Sequence, residues 1–426
     1  MPSPIRSLTT RDVRRYVDEQ VFTSATPGNG HVGVEVEWVT RSVDRSAERH
    51  TVTPDQLLAA LGLSAPGDVL PDGARVTFEP GGQLELSGPA FVCADTAIAA
   101  MARDAAVARR AVSAHGIDLV GIGLDPAGLR DRVIDGARYA AMEQYFDTQW
   151  PDGRVMMRNT ASVQVNVDLG APSHVESRWQ RAHAIVPVLA AAFANSPFDT
   201  SGSLTGSRSS RLDVWRRLDP RRTRAAARPG TSAATAWTTY ALDAPVMMID
   251  TSAAPASANA AKSFAPIPRP LSFARWLHDG HELGWPTIDD FEYHLSTLFP
   301  PVRPRGWFEL RTIDALPDEW WPVAVAVTAA LLDDDTAADI ATRASAAVAG
   351  RAHLAARDSC HDPELRTAVD QCFVAAIAAL PRIGAASARA ATEAYYERYV
   401  APGRCPADDL HHDPCRWSPS SDVSVT

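Results

Sequence analysis

The sequence predicts an α+β fold, and three observations lead there. Short segments alternate apolar and polar residues with the period of a strand: GVEVEW (Gly33–Trp38), QLELS (Gln83–Ser87), VQVNVD (Val163–Asp168) and WFELRTI (Trp307–Ile313). Alanine-rich stretches with helical spacing lie between some of these and dominate the last third of the chain. The two kinds of segment come in an irregular order, with neither a regular strand–helix succession nor an internal repeat.

In chain order, TTRDVRRYVDEQVFT (Thr9–Thr23) reads as a helix capped by Thr9 or Thr10, with Val13, Tyr16, Val17 and Val21 on one apolar face. ATPGNG ends it. Strands and turns follow as far as Gly88, then a helix over Asp95–Ala114 that stops at His115-Gly116. The strand ASVQVNVDLG precedes a helix over 176–194, which ends at NSPF. Residues 200–270, rich in Gly, Ser, Pro and Arg, read as irregular: a lid, a substrate loop or a disordered stretch. A helix over 287–298 leads into FPPVRPRGWFELRTID, whose second half alternates as a strand, and 318–400 reads as a buttressing helical bundle. The last twenty or so residues read as a polar tail.

Composition removes several classes of function. A net charge of -10 opposes binding to nucleic acid or anionic membrane. The most apolar segments, Ala184–Ala194 and Trp320–Leu332, are shorter than the roughly 20 residues a bilayer span needs. MPSPIRSLTT lacks the apolar core of a secretory signal, so a cytoplasmic protein is expected. Lys262 is the single lysine, which leaves arginine, backbone N–H groups or metal ions to bind anionic ligands. Five scattered cysteines fit a reducing compartment. Cys405, His411, His412 and Cys415 have zinc-ligand chemistry in a spacing that matches no finger or ribbon, and their role stays open.

Three motif matches fail on context. GNGHVG (Gly28–Gly33) has the glycines of a dinucleotide loop but precedes a strand instead of following one. NAAKS around Lys262 lacks the glycine of a phosphate loop, and HDGHE (His278–Glu282) is not HExxH and reads as a solvated helix end.

What survives is the polar face of the alternating strands. Glu35 and Glu37 share one face while Val34, Val36 and Trp38 point into a core. Gln83, Glu85 and Ser87 align likewise, as do Gln164, Asn166 and Asp168, and Glu309 with Arg311. Each alone is the solvated face of a half-buried strand. Together they are acids and amides that, converging on one concave face, would repel one another unless cations lay between them. Oxygen donors select hard cations such as Mg²⁺ or Mn²⁺, and Mg²⁺ commonly accompanies nucleotide phosphates.

At these residues the sequence resembles the glutamate–cysteine ligases, in the branch that includes the plant enzymes and the actinobacterial ligases of ergothioneine synthesis. GVEVEW, VTFEPGGQLELSG, MMRNTASVQVNVD, AAAFANSPF, SRLDVWRRLDPRRT, YALDAPVMMI and HLSTLFPPVRPRGWFELRTIDALP are similar to the family's segments, in order, across most of the chain. The resemblance implies a glutamine-synthetase-like curved antiparallel sheet with a metal site on its concave face, in a single catalytic domain over 1–402 followed by a tail over 403–426. It implies ATP-dependent joining of the γ-carboxylate of glutamate to the amine of cysteine through a γ-glutamyl phosphate, with about two or three Mg²⁺ ions. Small-molecule substrates (glutamate, cysteine and ATP) are implied, with no nucleic acid, membrane or obligate protein partner.

Residue by residue, the resemblance places Glu35, Glu37, Glu79, Glu85 and Glu309 as metal ligands, with Gln164 where some members carry histidine. Arg311 would contact the transferring phosphoryl group and Arg211 a substrate carboxylate. Asn166, Thr160, Met157 and Tyr240 would line the substrate pocket. SRLDVW carries Leu212-Asp213 where plant enzymes have Ser-His, and RTIDA stands in place of RGADG, which keeps open a ligase for a different amine. A metal-dependent hydrolase and a non-catalytic amino-acid sensor are the readings from other classes.

Overall fold

Antiparallel pairing of short amphipathic strands builds the frame. The computed structural model describes residues 8–24, 30–43, 51–252 and 263–412. Its strands are β1 (Val32–Ser42), β2 (Arg75–Phe78), β3 (Leu84–Ser87), β4 (Ile117–Val120), β5 (Ser162–Asp168), β6 (Met248–Asp250), β7 (Phe264–Pro266), β8 (Val302–Pro304) and β9 (Trp307–Asp314). The main sheet runs β2-β3-β1-β5-β9-β8, with β4 paired to the far end of β1, and β6 and β7 form a separate ribbon. Every pairing is antiparallel.

One face of the sheet is sealed. Val34, Val36 and Trp38 of β1, Val163, Val165 and Val167 of β5, and Phe308 and Leu310 of β9 are buried. The helix Trp321–Asp333 packs against β1 and β5 and is apolar around nearly its whole circumference, as a helix in the middle of a core must be. Helices Asp335–Ala346 and Pro363–Ala379 lie against it, and their alanines allow close approach of the axes. The opposite face of the sheet is therefore the only one free to carry the polar side chains.

Local chemistry sets most boundaries where the sequence places them. Thr9 closes a capping box with Asp12 before helix Thr10–Tyr16, which runs on into a π-turn over Val17–Val21. The helix Ala94–Ser113 ends near Gly116, which has φ +68°. The single helix expected over 176–194 is two, Val175–Ala184 and Val186–Ala192, because Pro187 cannot continue the first and suits the opening turn of the second.

Two expectations are corrected. Residues 200–270 are not one long loop: helices Ser210–Arg217 and Ala233–Asp243 lie within them, capped by the side chains of Ser209 and Ser232 and burying Val214, Trp237 and Tyr240. Residues 403–412 are not a tail. Pro406–His412 is helical, Cys405 and Asp408 are buried, Arg208 pairs with Asp408 at 2.7 Å, and the Ala407 N–H donates to the Ala194 carbonyl at 3.0 Å. Lys262, Cys415 and the Gly28-Asn29 part of GNGHVG lie outside the described residues. Among the described residues no helix is long and apolar enough to cross a membrane.

The Pro-Gly-Gly turn between β2 and β3 is held on every side. Thr40 Oγ1 donates to the Gly82 carbonyl at 2.8 Å, Arg130 Nη1 to the Gly81 carbonyl at 2.7 Å, and the Val133 N–H to the Pro80 carbonyl at 2.8 Å. A Cβ on Gly81 would lie 2.0 Å from the Arg158 carbonyl oxygen, and one on Gly82, at φ +80°, would lie 2.1 Å from that of Val52. Gly82→Ala should accordingly cost more than about 3 kcal/mol of unfolding free energy, since a left-handed residue and a backbone clash both oppose it. Gly62→Ala, at φ +68° with nothing within 4 Å of the added carbon, should cost only about 1–2 kcal/mol. Equal costs in denaturant titrations of the two variants would refute the clash.

Candidate active site

The strand register turns separated acids into neighbours. In β1, Glu35 lies opposite Gln164 of β5, and Glu37 lies opposite Glu85 of β3. The turn after β2 delivers Glu79 to the same place. Carboxylate oxygens of Glu37, Glu79 and Glu85 all lie within 4.8 Å of one another. With Glu35, Gln164 and Arg311 they line a cavity of about 240 Å³, whose remaining wall includes Arg138, Tyr139, Arg211, Trp215, Arg303 and Arg305.

Neutral donors orient the acids without cancelling their charge. Glu37 accepts from the Ser162 N–H at 2.8 Å, from Ser162 Oγ at 3.0 Å and from Gln164 Nε2 at 2.7 Å. Glu85 accepts from Thr77 Oγ1 and Ser87 Oγ, both at 2.8 Å, and Glu35 from Asn166 Nδ2 at 2.9 Å. Gln83, fully buried, donates to the Thr160 carbonyl at 2.9 Å and so fixes the turn to the cavity wall.

Burial raises all four acids, and crowding adds to it in three of them. Burial, reinforced by the charges of Glu309 and Glu85, pushes Glu35 up to about 7. Burial followed by Glu85 and Glu37 holds Glu79 well above the carboxylate range, and burial with Glu37 raises Glu85. Burial also raises Glu37 against the pull of Arg211 and Arg311. An oxygen-rich group that resists losing its protons for want of positive charge fits a hard divalent cation.

Arginines supply the opposite charge. Arg303 Nη2 reaches the two oxygens of Glu309 at 2.8 and 3.0 Å, Arg305 stands 3.6 Å away, and Arg311 pairs with the same carboxylate. Burial alone would raise Glu309, yet Arg303, Arg311 and Arg305 outweigh it and hold it at about 2. Arg311 Nη1 also donates to Gln164 Oε1 at 2.5 Å.

The register of β5 with β9 slips between Val163 and Val165, so that Arg311 and Thr312 together face Gln164. This β-bulge lets Arg311 and Asp314, an odd number of residues apart, serve the same face.

An acid-lined antiparallel sheet of this kind invites comparison with known proteins. Residues 31–422 match the family model for glutamate-cysteine ligase family 2. The chain belongs to that family. Among family members, the glutamate–cysteine ligase EgtA of Mycolicibacterium smegmatis is 39% identical over 389 residues, covering 89% of this chain and 86% of the relative. EgtA of Mycobacterium tuberculosis is 38% identical over 393 residues, with 89% and 85% covered. A chloroplastic glutamate–cysteine ligase of Nicotiana tabacum is 30% identical over 255 residues, 57% of this chain and 46% of its own. The crystal structure of a glutamate–cysteine ligase from Francisella tularensis in complex with AMP shares the fold, with a TM-score of 0.52 at 12% identity over 90% of this chain and 85% of that one.

Of the residues singled out in the ligase sequence, Glu35, Glu37, Glu79, Glu85, Gln164, Arg211, Arg311, Met157 and Thr160 line the cavity. Three stand apart from it. Tyr240 is fully buried, donates to the Arg222 carbonyl and stacks on Trp237, because its helix turns that side into the core. Asn166 is spent on Glu35 and on Trp307 Nε1, which donates to it at 3.1 Å. Glu309 is buried beneath its arginines. Sequence reasoning missed Arg138, Arg303, Arg305, Trp215 and Ser162; the alternation of VRPRGW was the signal for Arg303 and Arg305.

Glu35 also sets a pH dependence. The folded chain keeps this proton to about pH 7, whereas an ordinary glutamate releases it near 4.5, so the stability it contributes is present below 4.5 and is lost as the pH rises to about 7. The unfolding free energy of the metal-free protein, measured against Glu35→Gln, should fall by on the order of 1–3 kcal/mol between about pH 5 and 8. Mg²⁺ should raise the melting temperature of the unsubstituted protein more at the higher pH, where the carboxylates are free to bind it. A pH-independent difference would refute the assignment.

Proposed function

We propose that this chain joins the γ-carboxylate of L-glutamate to the amine of L-cysteine at the expense of ATP, giving γ-glutamylcysteine for ergothioneine synthesis. The observation that carries it is the Glu37–Glu79–Glu85 cluster sharing one cavity with five arginines, in a chain so close to the mycobacterial EgtA enzymes. Four acids, Glu35, Glu37, Glu79 and Glu85, would hold Mg²⁺, with Gln164 and Glu309 behind them. Bound there, the ions would screen the polyphosphate and make the terminal phosphorus easier to attack.

The chain's own residues do the rest. Arg311, with Arg303 and Arg305 beside it, stands where negative charge on a transferring phosphoryl group is to be balanced. A glutamate γ-carboxylate oxygen attacks the terminal phosphorus and ADP leaves. The cysteine amine then attacks the acyl carbon, phosphate departs and the nitrogen gives up a proton. Arg211 takes a substrate α-carboxylate, with Thr160 and Met157 in the wall of the same cavity. The chain acts as one catalytic domain that takes in the helix Pro406–His412, in the cytoplasm, without an obligate protein partner.

Incubation with ATP, Mg²⁺, glutamate and a panel of amines tests the reading. Mass analysis should find γ-glutamylcysteine formed with stoichiometric ADP, and turnover with another amine but not with cysteine would overturn it. ATP-independent hydrolysis would point instead to hydrolase chemistry. Arg311→Ala should lower kcat by about 10²-fold, as loss of a transition-state charge partner does. An effect confined to KM would contradict its role.

A further inference from the structure

Arg211 is placed with unusual thoroughness, and Asp314 does the placing. Both residues are buried. Oδ2 of Asp314 accepts from the Asn195 N–H at 2.8 Å and from Ser196 Oγ at 2.7 Å. Oδ1 accepts from Ser209 Oγ at 2.9 Å and lies 3.5 Å from Arg211 Nη1. Ser209 is also the N-cap of the helix that carries Arg211, accepting from the Leu212 N–H, and Ser196 Oγ accepts from the Arg211 N–H at 3.2 Å. A single carboxylate thus fastens the start of this helix to the sheet. Gly123 leaves it the room: a Cβ there would lie 2.5 Å from Asp314 Cγ.

The guanidinium is held by its far edge. Nη2 donates to the Arg311 carbonyl at 2.9 Å, at the β9 bulge. Nη1 pairs with Asp314 Oδ1 by charge alone, at 3.5 Å, and makes no hydrogen bond, although the side chain lines the cavity. A buried donor left without an acceptor is costly in a protein with no use for it.

We propose that Asp314 is the positioning residue of an amino-acid carboxylate subsite, orienting Arg211 so that Nη1 remains for the ligand. This rests on the reading of Arg211 as a substrate-carboxylate partner.

Asp314→Asn keeps the shape and the two bonds to Oδ2 but removes the charge and can set an N–H against the guanidinium. Steady-state kinetics of this variant should show KM for one amino-acid substrate raised by roughly 10-fold or more, with KM for ATP within about 2-fold and kcat within about 3-fold. Arg211→Lys, which loses the planar fork, should raise the same KM, and the double variant should fall short of the product of the two effects. Unchanged amino-acid KM values in Asp314→Asn while Arg211→Lys raises one would overturn the positioning role. A uniform rise for all three substrates would overturn it as well. If Arg211→Lys itself leaves both amino-acid KM values unchanged, the carboxylate reading of Arg211 falls instead. Should Asp314→Asn fail to fold, Ser209→Ala, which removes one bond to Oδ1, decides on the same KM pattern at roughly 3-fold.

Discussion

Like charges crowded on a buried surface form the constraint on which this structure depends. Four carboxylates occupy a cavity of about 240 Å³ and three of them come within 4.8 Å of one another. At such distances, away from bulk water, two unit charges repel by several kcal/mol even at an effective dielectric of about 20. Protonation relieves this at low pH and a divalent ion would relieve it at neutral pH, so the site is suited to take up positive charge. The hydrogen bonds from Ser162, Thr77, Ser87 and Asn166 keep the oxygens in place while leaving that demand unmet.

Arginines balance the acids within the same cavity. Glu309 is neutralised by Arg303 and Arg311, and Arg211 is steadied by Asp314. The two groups are joined, since Arg211 Nη2 donates to the Arg311 carbonyl at 2.9 Å. The β9 bulge brings them to one face, since without the extra residue Arg311 and Asp314 would point to opposite faces of the sheet.

Strand pairing made the centre of this site readable from the chain alone. Alternation in GVEVEW and QLELS requires Glu35, Glu37 and Glu85 to leave the core together, and pairing of β1 with β3 does the rest. The same rule misled at the edges. Asn166 and Glu309 lie on the right face of their strands, yet their neighbours Trp307 and Arg303 engage them before they reach the cavity. Tyr240 was out of reach of any periodicity argument, because its helix lies in a segment whose Gly, Ser and Arg content masks it. Asp314 was hidden by the bulge: an odd spacing from Arg311 reads as the wrong side of a regular strand. Helix Pro406–His412 was hidden by polarity, since its buried Asp408 is paid for by Arg208 and His361 contacts from distant parts of the chain.

The turn that carries Glu79 has a wider implication. Its two glycines are there because two other stretches of backbone pass about 2 Å from where their side chains would begin. The most recognisable phrase in this sequence is thus in part a record of how three strands of main chain cross, and only its glutamates speak of chemistry. A protein that kept the crossing while exchanging those acids would still look like kin, having surrendered the reaction.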